Sequence, residues 1–199
     1  MNHHVITTYA INELPPEIQE RVRQDWKNSI QWQGQLHRMV KTACETRIAE
    51  WGYCHTNSLF WYTPTLAFYG PIPDVRLLIH RLYEDRTAQQ VLLDWLDGID
   101  ASKFQAEIKA VSVGAYHHNL LAEIVYDGDL SRDMEQRLRE LAIRINLDVV
   151  ALQADLETLA AELETELGRD AVIDADLLAQ EIEFTADGNQ FFYNKEGVS

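Results

Sequence analysis

The chain has 199 residues, of which 46% are hydrophobic and 25% charged, and its formal net charge is −15. This composition predicts one globular domain spanning residues 1–199. It contains no apolar run of about 18 residues that would span a membrane, and no secretory signal at its start. Two isolated cysteines, Cys44 and Cys54, favour a reducing compartment over a disulfide framework. We therefore expect a cytoplasmic protein.

The first third of the chain predicts two helices followed by extended segments. Pro at a first-turn position and apolar residues on one helical face favour the helices. Aromatic and β-branched residues then favour strands, which a proline divides. The predicted elements are a helix from Pro16 to Asn28, a helix from Gln31 to Trp51, and two extended pieces within Cys54 to Tyr69, separated at Pro64.

The middle of the chain predicts a second pair of helices and a pair of strands. The segment from Gly70 to Pro73 is a clear breaker, and Asp74 can cap the helix after it. Alternating apolar residues then favour strands that reverse near Gly114. The predicted elements are helices from Val75 to Glu84 and from Thr87 to Leu96, and strands from Phe104 to Val113 and from Tyr116 to Tyr126.

A long helix is predicted from Leu130 to about Leu167, capped by Asp129 or Ser131 and stopped by Gly168. Apolar residues recur every seven positions along it, which also suits a coiled-coil seam. Leu141, Ile143, Leu147 and Val150 widen this stripe, as in a helix packed on a globular core. The flanking acids Asp148, Asp155 and Glu162 have no basic residues opposite them in a parallel pair. We therefore favour a core helix and keep a homotypic coiled coil as the alternative.

The last part of the chain predicts a short helix and a hairpin. The helix contains Val172 and Leu178, with Asp170 or Asp174 as its cap, and Asp187-Gly188 lies between two short apolar runs. The tail, residues 194–199, is expected to be flexible. Together the elements predict an α+β fold, in which a small, mainly antiparallel sheet packs against several helices, including one long helix near the C-terminus.

Several short segments, taken in order, resemble a family of uncharacterised small acidic proteins encoded by phages and prophages, some labelled antitoxin-like. They are the start Tyr9 to Leu14, the aromatic segment, Tyr116-His117-His118, the acidic helix and the close from Glu181 to Gly188. The chain departs from the family after Trp61, where Tyr62-Thr63-Pro64-Thr65 replaces a glycine-containing turn. The resemblance implies a phage origin and a host-cell location, and it implies no established activity.

The cysteines and histidines offer one route to chemistry. Cys44, Cys54-His55 and His117-His118 would have to assemble in space, because no metal-ligand spacing joins them and adjacent histidines of a strand face opposite ways. The chain also lacks the glycine-rich phosphate loops and the nucleophile motifs of common enzyme classes. We predict no catalytic residue, metal or cofactor, and keep a small metal-dependent enzyme as an alternative.

The acids offer a second route. Residues 145–199 contain 13 Asp and Glu against only Arg169 and Lys195, a net charge of −11. Such a region repels nucleic acid and attracts basic proteins. The alternative is that the acids only form a solvated helix face that keeps the protein soluble. The aromatic segment has no interleaved cations and favours core packing over base stacking. The candidate partner-binding residues are Asp148, Asp155, Glu157, Glu162, Glu164, Glu166, Asp170, Asp174 and Asp176.

These patterns predict a non-enzymatic interaction protein without direct nucleic-acid or membrane binding. Its expected partner is a basic host protein, such as a nucleic-acid-binding defence complex, whose positive channel the acids would occupy in an anti-CRISPR or similar anti-defence role. The alternative is an antitoxin-like partner of a basic toxin. The sequence leaves the formation of a homo-oligomer open.

Overall fold

The computed structural model describes residues 7–53, 59–62, 65–112 and 118–191, with the backbone alone for residues 59–62, 65–67, 112 and 118. The fold is α+β, as predicted, and the described strands all pair in an antiparallel manner. Its helices are α1 (Pro16–Lys27), α2 (Ile30–Glu50), α3 (Val75–Leu82), α4 (Arg86–Gly98), α5 (Arg132–Leu167) and α6 (Asp170–Ala179). Its strands are β1 (Leu59–Tyr62), β2 (Thr65–Phe68), β3 (Gly70–Pro71), β4 (Phe104–Ser112), β5 (His118–Tyr126), β6 (Glu183–Phe184) and β7 (Gln190–Phe191).

The residue contacts divide the chain into two compact units. The central unit contains residues 41–160, and the terminal unit contains residues 1–40 together with residues 161–199. The boundary between them falls within α2 and within α5. The single domain expected from the sequence stays a prediction. The tail expected to be flexible, residues 194–199, lies outside the described residues.

In the central unit, β3, β4 and β5 form one sheet in that order, and β1 and β2 form a separate two-stranded sheet. The long pair β4–β5 runs from Phe104 opposite Tyr126 to Ser112 opposite His118. Gly70 and Pro71, predicted only to break the chain, instead pair with Ile108 and Glu107. Proline is tolerated there because β3 is an edge strand, where one side needs no donor. The predicted reversal at Gly114 lies outside the described residues.

Helix α5 contributes a long apolar face to the core of the central unit. Leu141, Ile145, Val149, Leu152 and Leu156 on this face are completely buried. Ser131 caps the helix, because its hydroxyl accepts a hydrogen bond from the Met134 N–H at 3.2 Å. The helix therefore packs on a core, as the sequence favours.

Part of the predicted stripe on α5 is wrong. Leu141 belongs to the buried face, but Ile143, Leu147 and Val150 do not widen it. These three residues point away from the core, because a helix turns by about 100° per residue and places them on its opposite side. They form a separate apolar face.

The terminal unit has its own core between α1, α6, the start of α2 and the β6–β7 hairpin. It is built from Ile11, Leu14, Val22, Trp26, Trp32, Ile173, Leu177 and Phe184. The predicted Asp-Gly hairpin is present, with Glu183 opposite Phe191 and Gly188 at φ +79°. Arg169 occupies the N-cap position of α6 without a side-chain hydrogen bond, so neither predicted aspartate caps that helix.

Candidate interaction surface

The six predicted partner-binding acids of α5 form two rows. Residues seven apart on a helix return to nearly the same direction, so Asp148, Asp155 and Glu162 lie on one side, and Glu166 extends that row by one more turn. We call these four the first row. Glu157 and Glu164 are also seven apart and form the second row. The two rows lie on roughly opposite sides of the helix, because two residues correspond to about 200° of rotation. The acids of α5 therefore do not make one continuous patch.

Asp148 begins the first row and is committed to bonds within the protein. Its side chain is 11% exposed and accepts hydrogen bonds from both terminal nitrogens of Arg81 and from the Tyr53 hydroxyl. The Arg81 guanidinium lies 5.1 Å from the ring centre of Trp51 and 5.8 Å from that of Tyr53. Burial raises the pKa of the Tyr53 phenol, and the hydrogen bond to Asp148 raises it further. Asp148 therefore ties α5 to α3 and to the segment after α2.

Asp155, the next member of the first row, forms an ion pair with Arg47 of α2. The two charged groups are 2.7 Å apart, and both side chains are about one-third exposed. Arg47 also approaches Glu50 at 3.3 Å. The charge of Asp155 is therefore largely balanced within the central unit.

The aspartates of α6 hold the terminal unit together. Asp174 accepts two hydrogen bonds from Arg23, both at 2.7 Å, and these bonds are the main reason that the pKa of the Arg23 guanidinium is raised. Asp170 lies 3.1 Å from Lys27. Asp176 accepts from the indole N–H of Trp26 at 3.1 Å and from Gln35 at 3.0 Å. These three acids join α6 to α1 and α2.

Four of the predicted partner-binding acids, all glutamates of α5, remain on the surface. Glu157, Glu162, Glu164 and Glu166 are all exposed. Glu166 lies 3.4 Å from Arg169, and both of these side chains are about two-thirds exposed. Within the described residues, the side chains of the other three make no hydrogen bond or ion pair. Of the nine acids predicted to bind a partner, these four are the ones whose charge is least used by the fold.

The cysteine and histidine residues are not brought together in the part of the chain that the structure describes. Cys54, His55 and His117 lie outside it, and for His118 only the backbone is described. Across the described ranges, no three His, Cys, Asp or Glu side chains are arranged to hold a metal ion. Cys44 is a free thiol that is completely buried.

We predict that Cys44 is unreactive in the folded protein. Burial is the main cause that raises the pKa of its thiol to about 11, so little thiolate is present at neutral pH. In a Cys54→Ser variant, Ellman's reagent should modify Cys44 only when denaturant unfolds the protein. Reaction within seconds under native conditions would contradict the prediction. An unchanged melting temperature of the wild type on reduction would agree with the absence of a required disulfide.

Of the aromatic segment, the structure describes Phe68 and Tyr69. Phe68 is buried against Tyr53, with 6.0 Å between ring centres, and this agrees with core packing. Tyr69 is 40% exposed. The side chains of Phe60, Trp61 and Tyr62 lie outside the described residues.

The second apolar face of α5 is the feature that sequence reasoning missed. Ile143, Leu147 and Val150 are 59%, 68% and 61% exposed. The signal was present in their spacing, since i, i+4 and i+7 define a face of their own, offset from Ile145, Val149 and Leu152. The sequence prediction placed the buried and the exposed apolar residues of α5 on one wide stripe and so did not distinguish the two faces.

No protein-family model, curated protein or solved structure matches this chain. Among the described residues, no helix is both long enough and apolar enough to cross a membrane. The predicted relationship to phage proteins stays a prediction.

Proposed function

We propose that the protein is a non-enzymatic interaction protein that binds a basic partner through Glu162 and Glu166, at the C-terminal end of α5. Both are exposed, they lie on successive turns of one side of the helix, and they belong to the terminal unit. That unit contains 14 Asp and Glu against 6 Lys and Arg, a net charge of −8. A cationic surface is the partner that this charge favours.

One observation carries the proposal. Glu162 and Glu166 lie in the last two turns of α5, and its last turn contains no basic residue. The C-terminal end of a helix is the negative end of its dipole, where each carboxylate is unfavourable by about 0.3–1 kcal/mol. Acids that stabilise the fold pair with arginines, as Asp148 does with Arg81 and Asp174 does with Arg23. Acids that oppose the helix dipole and have little compensation inside the chain are better explained by a partner.

The partner class follows from the same chemistry. Proteins that handle nucleic acid present positive channels, and carboxylates spaced along a helix can occupy places that phosphates otherwise take. With the phage origin that the sequence resemblance implies, the proposed role is inhibition of a host defence protein of this kind. A basic toxin would be bound through the same glutamates and is distinguished by the identity of the partner.

The experiment begins with capture of a partner from host lysate on the immobilised protein, followed by binding measurements with the purified partner. The double variant Glu162→Lys/Glu166→Lys should lower the association rate at low salt by at least about tenfold, since it reverses the steering charge. Wild-type binding should weaken with added salt, because screening shortens to about 8 Å at physiological ionic strength.

A matched control separates position from net charge. Glu17→Lys/Asp25→Lys makes the same charge change in the same unit, on exposed residues of α1. It should retain most of the wild-type association rate. Equal losses of association rate in the two double variants would contradict binding through Glu162 and Glu166. A partner that binds nucleic acid and this protein at the same time would contradict binding in place of phosphates.

A further inference from the structure

The exposed face of α5 in the central unit combines apolar residues with a basic residue before them and an acidic residue after them. Ile143, Leu147 and Val150 lie on successive turns, each more than half exposed, and the small exposed residue Ala154 continues their line. We call these four residues the outer stripe. Single exposed aliphatic residues are common, but three large ones in a row on one helix favour a protein partner.

The apolar surface continues from the outer stripe onto the sheet. Val111 and Leu121 are 45% and 49% exposed, and together with Val150 they line a groove of about 460 Å³. Asn146 lies beside this groove and accepts a hydrogen bond from the Ala122 N–H at 2.6 Å. That N–H belongs to β5, the edge strand on this side of the sheet, so the edge is already closed at this point. A helix is therefore a better occupant than an added strand.

The charges identify which helix fits. Arg139 and Glu157 flank the outer stripe, one before it and one after it, and both are exposed. They are eighteen residues apart, about five turns, and so lie on the same side of the stripe. Arg139 forms an ion pair with Glu135 at 2.6 Å, yet its side chain stays 74% exposed. The Glu157 side chain makes no ion pair or hydrogen bond within the described part of the chain.

We propose that the outer stripe is the contact surface for a second copy of this chain, with the two α5 helices antiparallel. A twofold axis midway between Leu147 and Val150 places Leu147 of one copy against Val150 of the other, and Ile143 against Ala154. The same axis places Arg139 beside Glu157 of the partner copy, so each favourable pair forms twice. A parallel pair would instead keep Arg139 of one copy about 27 Å along the helix axis from Glu157 of the other, so neither pair would form. The charge pattern therefore selects the antiparallel dimer.

This inference uses the outer stripe and Glu157, whereas the proposed function uses Glu162 and Glu166. Self-association can be measured on the purified protein without any other partner. Each proposal can therefore fail without the other.

The test is sedimentation equilibrium over a wide range of concentrations. The wild-type protein should show a reversible equilibrium between a dimer and a 22.9 kDa monomer. Leu147→Asp should weaken self-association by at least about 100-fold, because the dimer then buries two unpaired carboxylates. Its circular dichroism and melting temperature should stay near those of the isolated wild-type monomer, since Leu147 is 68% exposed. Leu178→Asp, at an exposed leucine of α6, is the matched control and should leave the dimer intact.

A charge swap tests the orientation of the helices. Arg139→Glu and Glu157→Arg should each weaken the dimer by about tenfold, because each creates two pairs of like charges. The double variant Arg139→Glu/Glu157→Arg should recover most of the wild-type affinity. A monomeric wild type at every concentration, or a dimer unaffected by Leu147→Asp, would overturn the proposal. Swap variants that weaken singly and do not recover together would overturn the antiparallel arrangement.

Discussion

Leu152→Asp is expected to abolish the folded state. Leu152 is completely buried on the inner face of α5, in the core of the central unit. The substitution removes its apolar contacts and leaves a carboxylate without a partner, at a combined loss of about 5–10 kcal/mol. This is comparable to the whole stability of a typical domain, about 5–15 kcal/mol. Circular dichroism and thermal denaturation should show loss of the cooperative unfolding transition. If the two units unfold together as one domain, no part of the chain should retain such a transition.

The same helix provides the control for this prediction. Leu147→Asp introduces the same carboxylate five residues earlier, on the exposed outer stripe. It should leave the cooperative transition in place and change only self-association. A folded Leu152→Asp protein that has merely become monomeric would show that the inner face is a subunit seam rather than a core.

Asp148→Ala is expected to give the largest loss of stability among single acid-to-alanine substitutions. Asp148 is nearly buried and holds Arg81 and the Tyr53 hydroxyl at the same time. Its removal leaves a guanidinium and a buried hydroxyl short of acceptors, which costs about 2–4 kcal/mol. The midpoint of urea denaturation should fall accordingly, with an unchanged dependence of the unfolding free energy on denaturant.

Asp155→Ala is the matched comparison, seven residues along the same row of α5. Its pair with Arg47 is about one-third exposed on both sides, so the expected loss is about 1 kcal/mol or less. Equal losses for Asp148→Ala and Asp155→Ala would show that burial does not decide the contribution of these acids. A loss on substitution of Glu164, which is exposed, would contradict its assignment to the surface.

Local sequence signals predict the order and type of the elements well. The cap at Asp74 forms as expected, with the Leu77 N–H donating to its carboxylate at 3.1 Å. The Asp187-Gly188 turn forms its hairpin, and α5 stops before Gly168. These features depend on residues close together in the chain, because capping and turn formation are local hydrogen-bonding and backbone effects. The short strand β3 was not predictable in this way, since it exists only through pairing with β4, more than thirty residues later.

The acids show the limit of composition as a guide to function. Sequence alone establishes that residues 145–199 carry a large excess of negative charge. It does not reveal that Arg81, Arg47 and Arg23 approach from far along the chain and balance Asp148, Asp155 and Asp174. Charge pairing depends on distances of a few ångströms, which are set by the packing of helices and not by local spacing. Of the predicted acids, the exposed glutamates of α5 are the ones that stay candidates for partner binding.

The sequence by itself determines that this protein is α+β, that α5 is long, and that its inner face is apolar, because helical period and strand alternation are written in neighbouring residues. The tertiary structure decides which apolar residues of α5 are covered. Leu152 and Leu147 have the same side chain on the same helix, yet one is completely buried and the other is 68% exposed. Burial depends on what packs against each face, and that is fixed by contacts between residues distant in the chain.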